Sequence, residues 1–236
     1  MLSKKKKSFI YIRCIFIHQR CIDMLTMNES KVLRLLFAAI DEDYSINEIA
    51  RKCGLAPNGA AKILKKLEKE GILRAKSIAN IKSYRIDFEN QKTPAVLELS
   101  MIAEAEGRLK NRIEDLKELR ETAKACIAFG SYINPNKEPK DLDLLFILDK
   151  KDYKQYKKKT DNLRHILPVK LHDITQTEED MESNIRKKDR IIIEALGTGI
   201  MLWGQKTIIE LMQKCQKQSW ANASRKEEEA ENATKD

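Results

Sequence analysis

Ala125-Cys126-Ile127-Ala128-Phe129 runs directly into Gly130-Ser131, and nine residues later comes Asp141-Leu142-Asp143-Leu144-Leu145-Phe146-Ile147-Leu148. Short apolar runs bounded by turn residues read as buried strands, and the second becomes fully apolar as an inner strand would. Side chains alternate across a strand, which puts Asp141 and Asp143 on one face and Leu142, Leu144 and Phe146 on the other. Two carboxylates two residues apart can hold a divalent metal jointly. A glycine leaving the preceding strand lets the backbone approach a phosphate that a Cβ would keep away, and Ser131 adds a hydroxyl beside the backbone N–H groups. These parts suit metal-assisted phosphoryl or nucleotidyl transfer, in which Mg²⁺ offsets triphosphate charge and activates an attacking hydroxyl.

The pattern F-G-S-x9-D-L-D-L resembles the signature of the polymerase-β-like nucleotidyltransferases, including their minimal members. The chain looks most like prokaryotic proteins that place a winged helix ahead of such a domain, and the resemblance spans residues 95–212. It implies Gly130 and Ser131 as phosphate-holding residues, Asp141 and Asp143 as metal ligands, Mg²⁺ as cofactor and an NTP as substrate. It also implies a third acid on a neighbouring strand. The candidate strand is Val169-Lys170-Leu171-His172-Asp173-Ile174, and Asp173 is its only acid. Alternation points Lys170 and His172 toward the site and Asp173 toward the core, so Asp173 joins the catalytic set only through a bulge or register shift. Relatives carry an acid where Lys170 stands. Asn134-Pro135-Asn136-Lys137 also replaces the Arg- and Gly-containing stretch common after the Gly-Ser pair, leaving Lys137 or Lys140 as phosphate contacts. Minimal nucleotidyltransferases often modify a small helical toxin partner, so the resemblance extends to a protein acceptor and an antitoxin-like role.

Outward toward the N-terminus the pattern changes. Val32, Leu35, Leu36, Ala39 and Ile40 recur at helical spacing. Ser45 with Glu48 forms a capping box for a second helix, which Gly54 ends. Pro57 suits the first turn of a third helix, running to Glu70 and closed by Gly71. Strands at 72–75 and 83–87 flank a polar turn near Asn80. Three helices followed by a β-hairpin is the winged-helix order, and the stretch resembles MarR/ArsR-type regulators in layout. Ala60, Ile63, Leu64 and Leu67 form the buried face of the third helix. Lys62, Lys65, Lys66 and Lys69 form another face, with Asn58 at its N-terminal end. That division is what a recognition helix needs in the major groove of double-stranded DNA, and Arg74, Lys82 and Arg85 on the hairpin are positioned to clamp the flanking backbone.

Charge follows the same division. Residues 1–92 hold 19 Lys and Arg against 10 Asp and Glu, whereas residues 93–236 hold 26 against 26. A basic segment beside a neutral one points to a polyanion-binding module joined to something else.

The reading is therefore α+β. It comprises an N-terminal extension over 1–26, a winged helix-turn-helix over 27–92, a nucleotidyltransferase-like domain over 93–217 and a disordered Glu- and Lys-rich tail over 218–236. Gln91-Lys92-Thr93-Pro94 reads as the linker. A long helix over 95–124 carries Ile102, Ala105, Leu109, Ile113, Leu116, Leu119 and Ala123 at near-heptad spacing, either a homodimer seam or a face packed on its own domain. Trp203, at the end of a late apolar strand, reads as core. The five cysteines lack C-x-x-C spacing, which fits reduced thiols in a cytoplasmic protein, and no segment is long and apolar enough to cross a bilayer. The leading function is a DNA-binding nucleotidyltransferase with an unidentified acceptor hydroxyl. The alternatives are a transcriptional regulator whose degenerate nucleotidyltransferase fold binds nucleotide or mediates assembly and, third, an RNA-modifying transferase with the winged helix as its RNA-binding arm. The third carboxylate separates the first two.

Overall fold

The computed structural model describes residues 25–39, 42–78, 81–134 and 141–218. The extension over 1–24, the hairpin turn at Asn80, Lys137, Lys140 and the tail from 219 onward lie outside the described residues.

Local signals build the first part. Helix α1 (Met27–Ala38) opens on Thr26, whose hydroxyl accepts from the Glu29 N–H while the Glu29 carboxylate accepts from the Thr26 N–H. Strand β1 (Tyr44–Ser45) leads into helix α2 (Ile46–Cys53) through the Ser45/Glu48 box. Gly54 ends α2 at φ 66°, a left-handed value that glycine adopts without Cβ strain. Helix α3 (Pro57–Lys69) follows, then strands β2 (Leu73–Ile78) and β3 (Ile81–Ile86). The three strands form an antiparallel sheet in the order β1-β3-β2.

The expected linker is not one. Helix α4 (Lys92–Asp115) begins inside it, and Thr93 is fully buried. Pro94 is tolerated there because the first-turn N–H groups have no partner within a helix. Val96, Leu97 and Met101 of α4 pack into the winged-helix core, and Ala105 packs into the core of the second part.

The long helix expected over 95–124 is also corrected. Leu109 breaks helical geometry at φ −132°, ψ 28°, α4 stops at Asp115, and a 3₁₀ turn covers Lys117–Glu121. Ala105, Leu116, Leu119 and Ala123 of the supposed seam are buried among the chain's own strands, with Leu109 and Ile113 packed against them. These stripe residues pack on their own domain, the second of the two readings of the stripe.

The second sheet contains β4 (Ala125–Phe129), β5 (Asp141–Ile147), β6 (Lys170–Gln176) and β7 (Ile200–Trp203) in the order β6-β5-β4-β7. β4 is antiparallel to β5 and to β7, whereas β5 and β6 are parallel. A parallel pair needs a crossover, supplied by helix α5 (Tyr153–Ile166). Helices α6 (Glu178–Arg186) and α7 (Arg190–Thr198) precede β7, and helix α8 covers 205–218.

Each face of this sheet has its own core. Cys126, Ala128, Leu142, Leu144, Phe146 and Leu171 pack with Tyr156 and Leu163 of α5. Trp203 joins this core, as expected, its Nε1 donating to the Ala123 carbonyl at 3.0 Å. The opposite face presents Ala125, Ile127, Leu145, Ile147 and Met201. These merge with α6, α7 and the winged-helix residues Val32, Leu33, Leu36 and Phe37 into one continuous apolar cluster.

Polar ties cross the same junction. Arg34 of α1 donates to the Thr198 and Gly199 carbonyls at 3.2 and 2.6 Å and pairs with Glu104 of α4. Gln213 and Gln216 of α8 donate to the Phe88 and Ile86 carbonyls. The winged helix is thus seated on the second sheet, not tethered to it.

Candidate nucleotide site and nucleic-acid interface

Register brings the Gly-Ser bend and the acids together. Phe129, the last residue of β4, pairs with Asp143 of β5, so Gly130 leaves the strand directly beside that acid. Gly130 has φ 72°, and a Cβ there would lie 2.4 Å from Asp143 Oδ2. Only glycine fits. The chain then makes a 3₁₀ turn over Gly130–Ile133, held by the Asn134 N–H donating to the Ser131 carbonyl and by Arg108 Nη2 donating to the Ile133 carbonyl at 2.6 Å. Asp141 and Asp143 are partly exposed while Leu142 and Leu144 are fully buried, so both carboxylates share the face that alternation assigned them.

The third acid does not arrive. β6 runs beside β5 in unbroken parallel register, pairing Asp141 with Lys170, Asp143 with His172 and Leu144 with Asp173. His172 Nδ1 lies 3.4 Å from Asp143 Oδ1, which confirms that these two side chains share a face. Without a bulge, Asp173 points to the opposite side of the sheet. There it accepts from the Tyr156 hydroxyl at 2.8 Å and pairs with Arg164. Tyr156 is buried, and burial, with the charge of Asp173 adding to it, pushes its phenol well above the usual range. The tentative catalytic placement of Asp173 is therefore corrected: it holds α5 to β6. Among the described residues no group of three or more His, Cys, Asp or Glu is arranged to hold a metal. Two carboxylates still fit one Mg²⁺, which commonly binds through one or two carboxylates plus the phosphates of its nucleotide. Lys140, the remaining phosphate candidate, lies outside the described residues.

On the winged helix the eight basic and polar candidates divide in two. Asn58, Lys62, Lys65 and Lys69 are exposed, and their 4, 3, 4 spacing sets them in one stripe along α3. The other four are engaged by acids of the chain. Lys66 binds the buried Glu29 at 2.7 Å, Lys82 binds Glu68, Arg85 grips Asp43 through bonds of 2.7 and 2.6 Å, and Arg74 meets Asp87 and Glu89. Sequence spacing grouped all four lysines of α3, but Lys66 is rotated toward α1.

Two family models match the chain in succession. Winged helix-turn-helix DNA-binding covers residues 28–74, and polymerase beta nucleotidyltransferase covers residues 111–196. The protein joins a winged helix-turn-helix DNA-binding domain to a polymerase β nucleotidyltransferase domain. The second match holds the Gly130-Ser131 bend, Asp141, Asp143 and the whole of β6, and the first holds the α3 stripe.

Among solved structures, the chain is similar to a single-site mutant of Lactococcus lactis ZitR at 18% identity and TM-score 0.27, over 41% of this chain and 61% of that one. It thus spans less than two thirds of that ZitR chain. Staphylococcus aureus MepR, a transcription regulator of a multidrug efflux pump, aligns at 14% identity and TM-score 0.31 over 67% of this chain and 98% of that one. The heme sensor PefR of Streptococcus agalactiae aligns at 12% identity and TM-score 0.31, over 71% and 95% respectively. These likenesses are too slight to bear on the site. No curated protein matches the chain. Among the described residues no helix is long and apolar enough to cross a membrane.

Two features escaped the sequence reading. One is the clamp of Tyr156 and Arg164 on Asp173. The other is the polar chain from the Ile133 carbonyl through Arg108 and Glu104 to Arg34. Each includes a link that spacing along one element cannot show: Tyr156 to Asp173 across 17 residues, and Arg108 to Ile133 across 25. The one local hint is an arginine set between Leu33 and Leu36 of an apolar helix face.

Proposed function

We propose that this protein is a DNA-binding regulator whose nucleotidyltransferase domain binds a magnesium–nucleoside triphosphate and turns it over slowly or not at all. The observation behind the second half is the register of β6, which turns Asp173 away from Asp141 and Asp143. Asp141 and Asp143 would hold the ion, which when bound offsets phosphate charge and lowers the pKa of an attacking hydroxyl. Gly130 and Ser131 offer backbone N–H groups and a hydroxyl to the phosphates. Among the described residues no third carboxylate shares the face of Asp141 and Asp143 to take an acceptor's proton, and such a base ordinarily contributes a hundredfold or more, on the order of 10²–10⁴. One observation favours residual chemistry: His172 lies beside Asp143 and is an imidazole able to accept a proton.

The DNA-binding half rests on the α3 stripe, whose lysines suit phosphate contacts from the major groove and supply affinity rather than a readable target sequence. Regulation is supported by the shared core. The Gly130–Ile133 turn is joined to α1 through Arg108, Glu104 and Arg34, so a nucleotide that shifts the turn has a physical route to the winged helix.

Equilibrium titration with ATP in Mg²⁺ tests the assignment. Asp141→Asn combined with Asp143→Asn is expected to weaken binding at least tenfold, about what one lost charge-assisted contact costs. Asp173→Asn is expected to leave binding unchanged while lowering thermal stability by about 1–3 kcal/mol, the cost of a broken part-buried hydrogen-bond pair. Loss of binding in Asp173→Asn with retention in the double variant would reverse the assignment.

A further inference from the structure

We infer that Lys170 contacts the triphosphate directly, so that a cation selects highly charged nucleotides at the position where a third metal-binding acid would otherwise stand. The inference rests on the nucleotide-binding reading above and specifies how the ligand is recognised.

Lys170 pairs with Asp141 in the parallel register of β5 and β6, and paired residues of neighbouring strands project from the same face. The contact between His172 and Asp143, two residues further along, fixes which face that is. Lys170 is exposed, and among the described residues it has no ion pair. Neighbouring strands are only about 4.8 Å apart, and a lysine stem is long and flexible, so its ammonium sweeps the space in front of Asp141.

Charge decides what that does. With a carboxylate here, the site would carry three negative groups facing a polyanion and would need further cation to balance them. With Lys170 the local protein charge falls from −3 to −1 by formal count, and part of the neutralisation comes from a side chain. Such a site retains a triphosphate with less reliance on metal, and it prefers ATP over AMP because the extra phosphates meet the ammonium.

A competing account is available. β6 lies at one edge of its sheet, and edge lysines commonly guard against strand-to-strand aggregation. A guard predicts a loss of solubility on substitution and no change in nucleotide preference.

The test titrates the full chain with ATP and with AMP in Mg²⁺, comparing wild type with Lys170→Met and Lys170→Arg. Lys170→Met is expected to lower ATP affinity about tenfold with little change for AMP, so the ATP-to-AMP ratio falls about tenfold, and Lys170→Arg restores most of it. A ratio unchanged in Lys170→Met, with wild type binding ATP, overturns this inference alone. Wild type that binds neither nucleotide overturns the nucleotide-binding reading and this inference with it. Lys170→Arg behaving like Lys170→Met shows that the ammonium charge is not what matters, and it overturns the inference too.

Discussion

Gly130→Val is expected to abolish measurable Mg²⁺-ATP binding while the winged helix stays folded and keeps its affinity for DNA. Two independent effects act at this position. The backbone sits at φ 72°, a left-handed value that costs a β-branched residue about 1–2 kcal/mol or more. A Cβ would also lie 2.4 Å from Asp143 Oδ2, so the acid must swing out of its position or the bend must open. Either movement separates the phosphate-holding turn from the metal-holding carboxylate. Gly130→Ala should show the same defect in weaker form, about tenfold in ATP affinity, because the methyl group keeps the collision with fewer atoms. Titration with ATP alongside DNA-binding anisotropy reads both halves in one preparation. Wild-type ATP affinity in Gly130→Val would mean that the bend is not part of the site.

Replacing Lys62, Lys65 and Lys69 together by alanine should weaken DNA binding severely and flatten its salt dependence. Each neutralised phosphate contributes about 0.9 to the slope of log affinity against log salt, so removing three contacts reduces it by about 2.7. The three side chains are exposed on one stripe of α3 with Asn58. Lys66 provides the internal comparison. It lies on the same helix, but its ammonium is bound to Glu29, which also caps α1. Lys66→Ala should therefore lower thermal stability, by about 1–3 kcal/mol for the stranded carboxylate, and change the salt slope little. If the triple variant keeps the wild-type slope while Lys66→Ala flattens it, the DNA-facing side of α3 has been placed wrongly.

Much of this was legible in the sequence because it is local. The Ser45/Glu48 capping box, the Gly54 stop and Pro57 at the first turn of α3 involve neighbours only a few residues apart, and they stand as expected. Strand alternation alone sets Asp141, Asp143, Lys170 and His172 on one face and Asp173 on the other, as the register of β5 and β6 has them. Asp173 would reach the two acids only through a bulge, and the register contains none between Asp141 and Ile147.

What the sequence left open or missed was non-local. A near-heptad stripe states that a helix buries one side but not against what, and of the two partners it allowed, the chain's own sheet is the one these residues meet. Gln91 to Pro94 carries the composition of a linker, yet tertiary packing buries Thr93 completely. Lys66 and Glu29 are separated by 37 residues, so spacing along α3 could not show that one lysine of the row is already engaged. The seating of the winged helix on the nucleotidyltransferase sheet was invisible for the same reason.

Single-turnover incubation with α-labelled ATP, Mg²⁺ and cell lysate addresses the main proposition most directly, because it asks whether bound nucleotide is consumed. With Asp173 committed to Tyr156 and Arg164, the nucleotide should be held in a manner that needs Asp141 and Asp143 and then recovered intact, with no label on any acceptor. Rapid stoichiometric labelling of an acceptor, abolished by Asp141→Asn and Asp143→Asn, would contradict it and establish a working transferase with two acids.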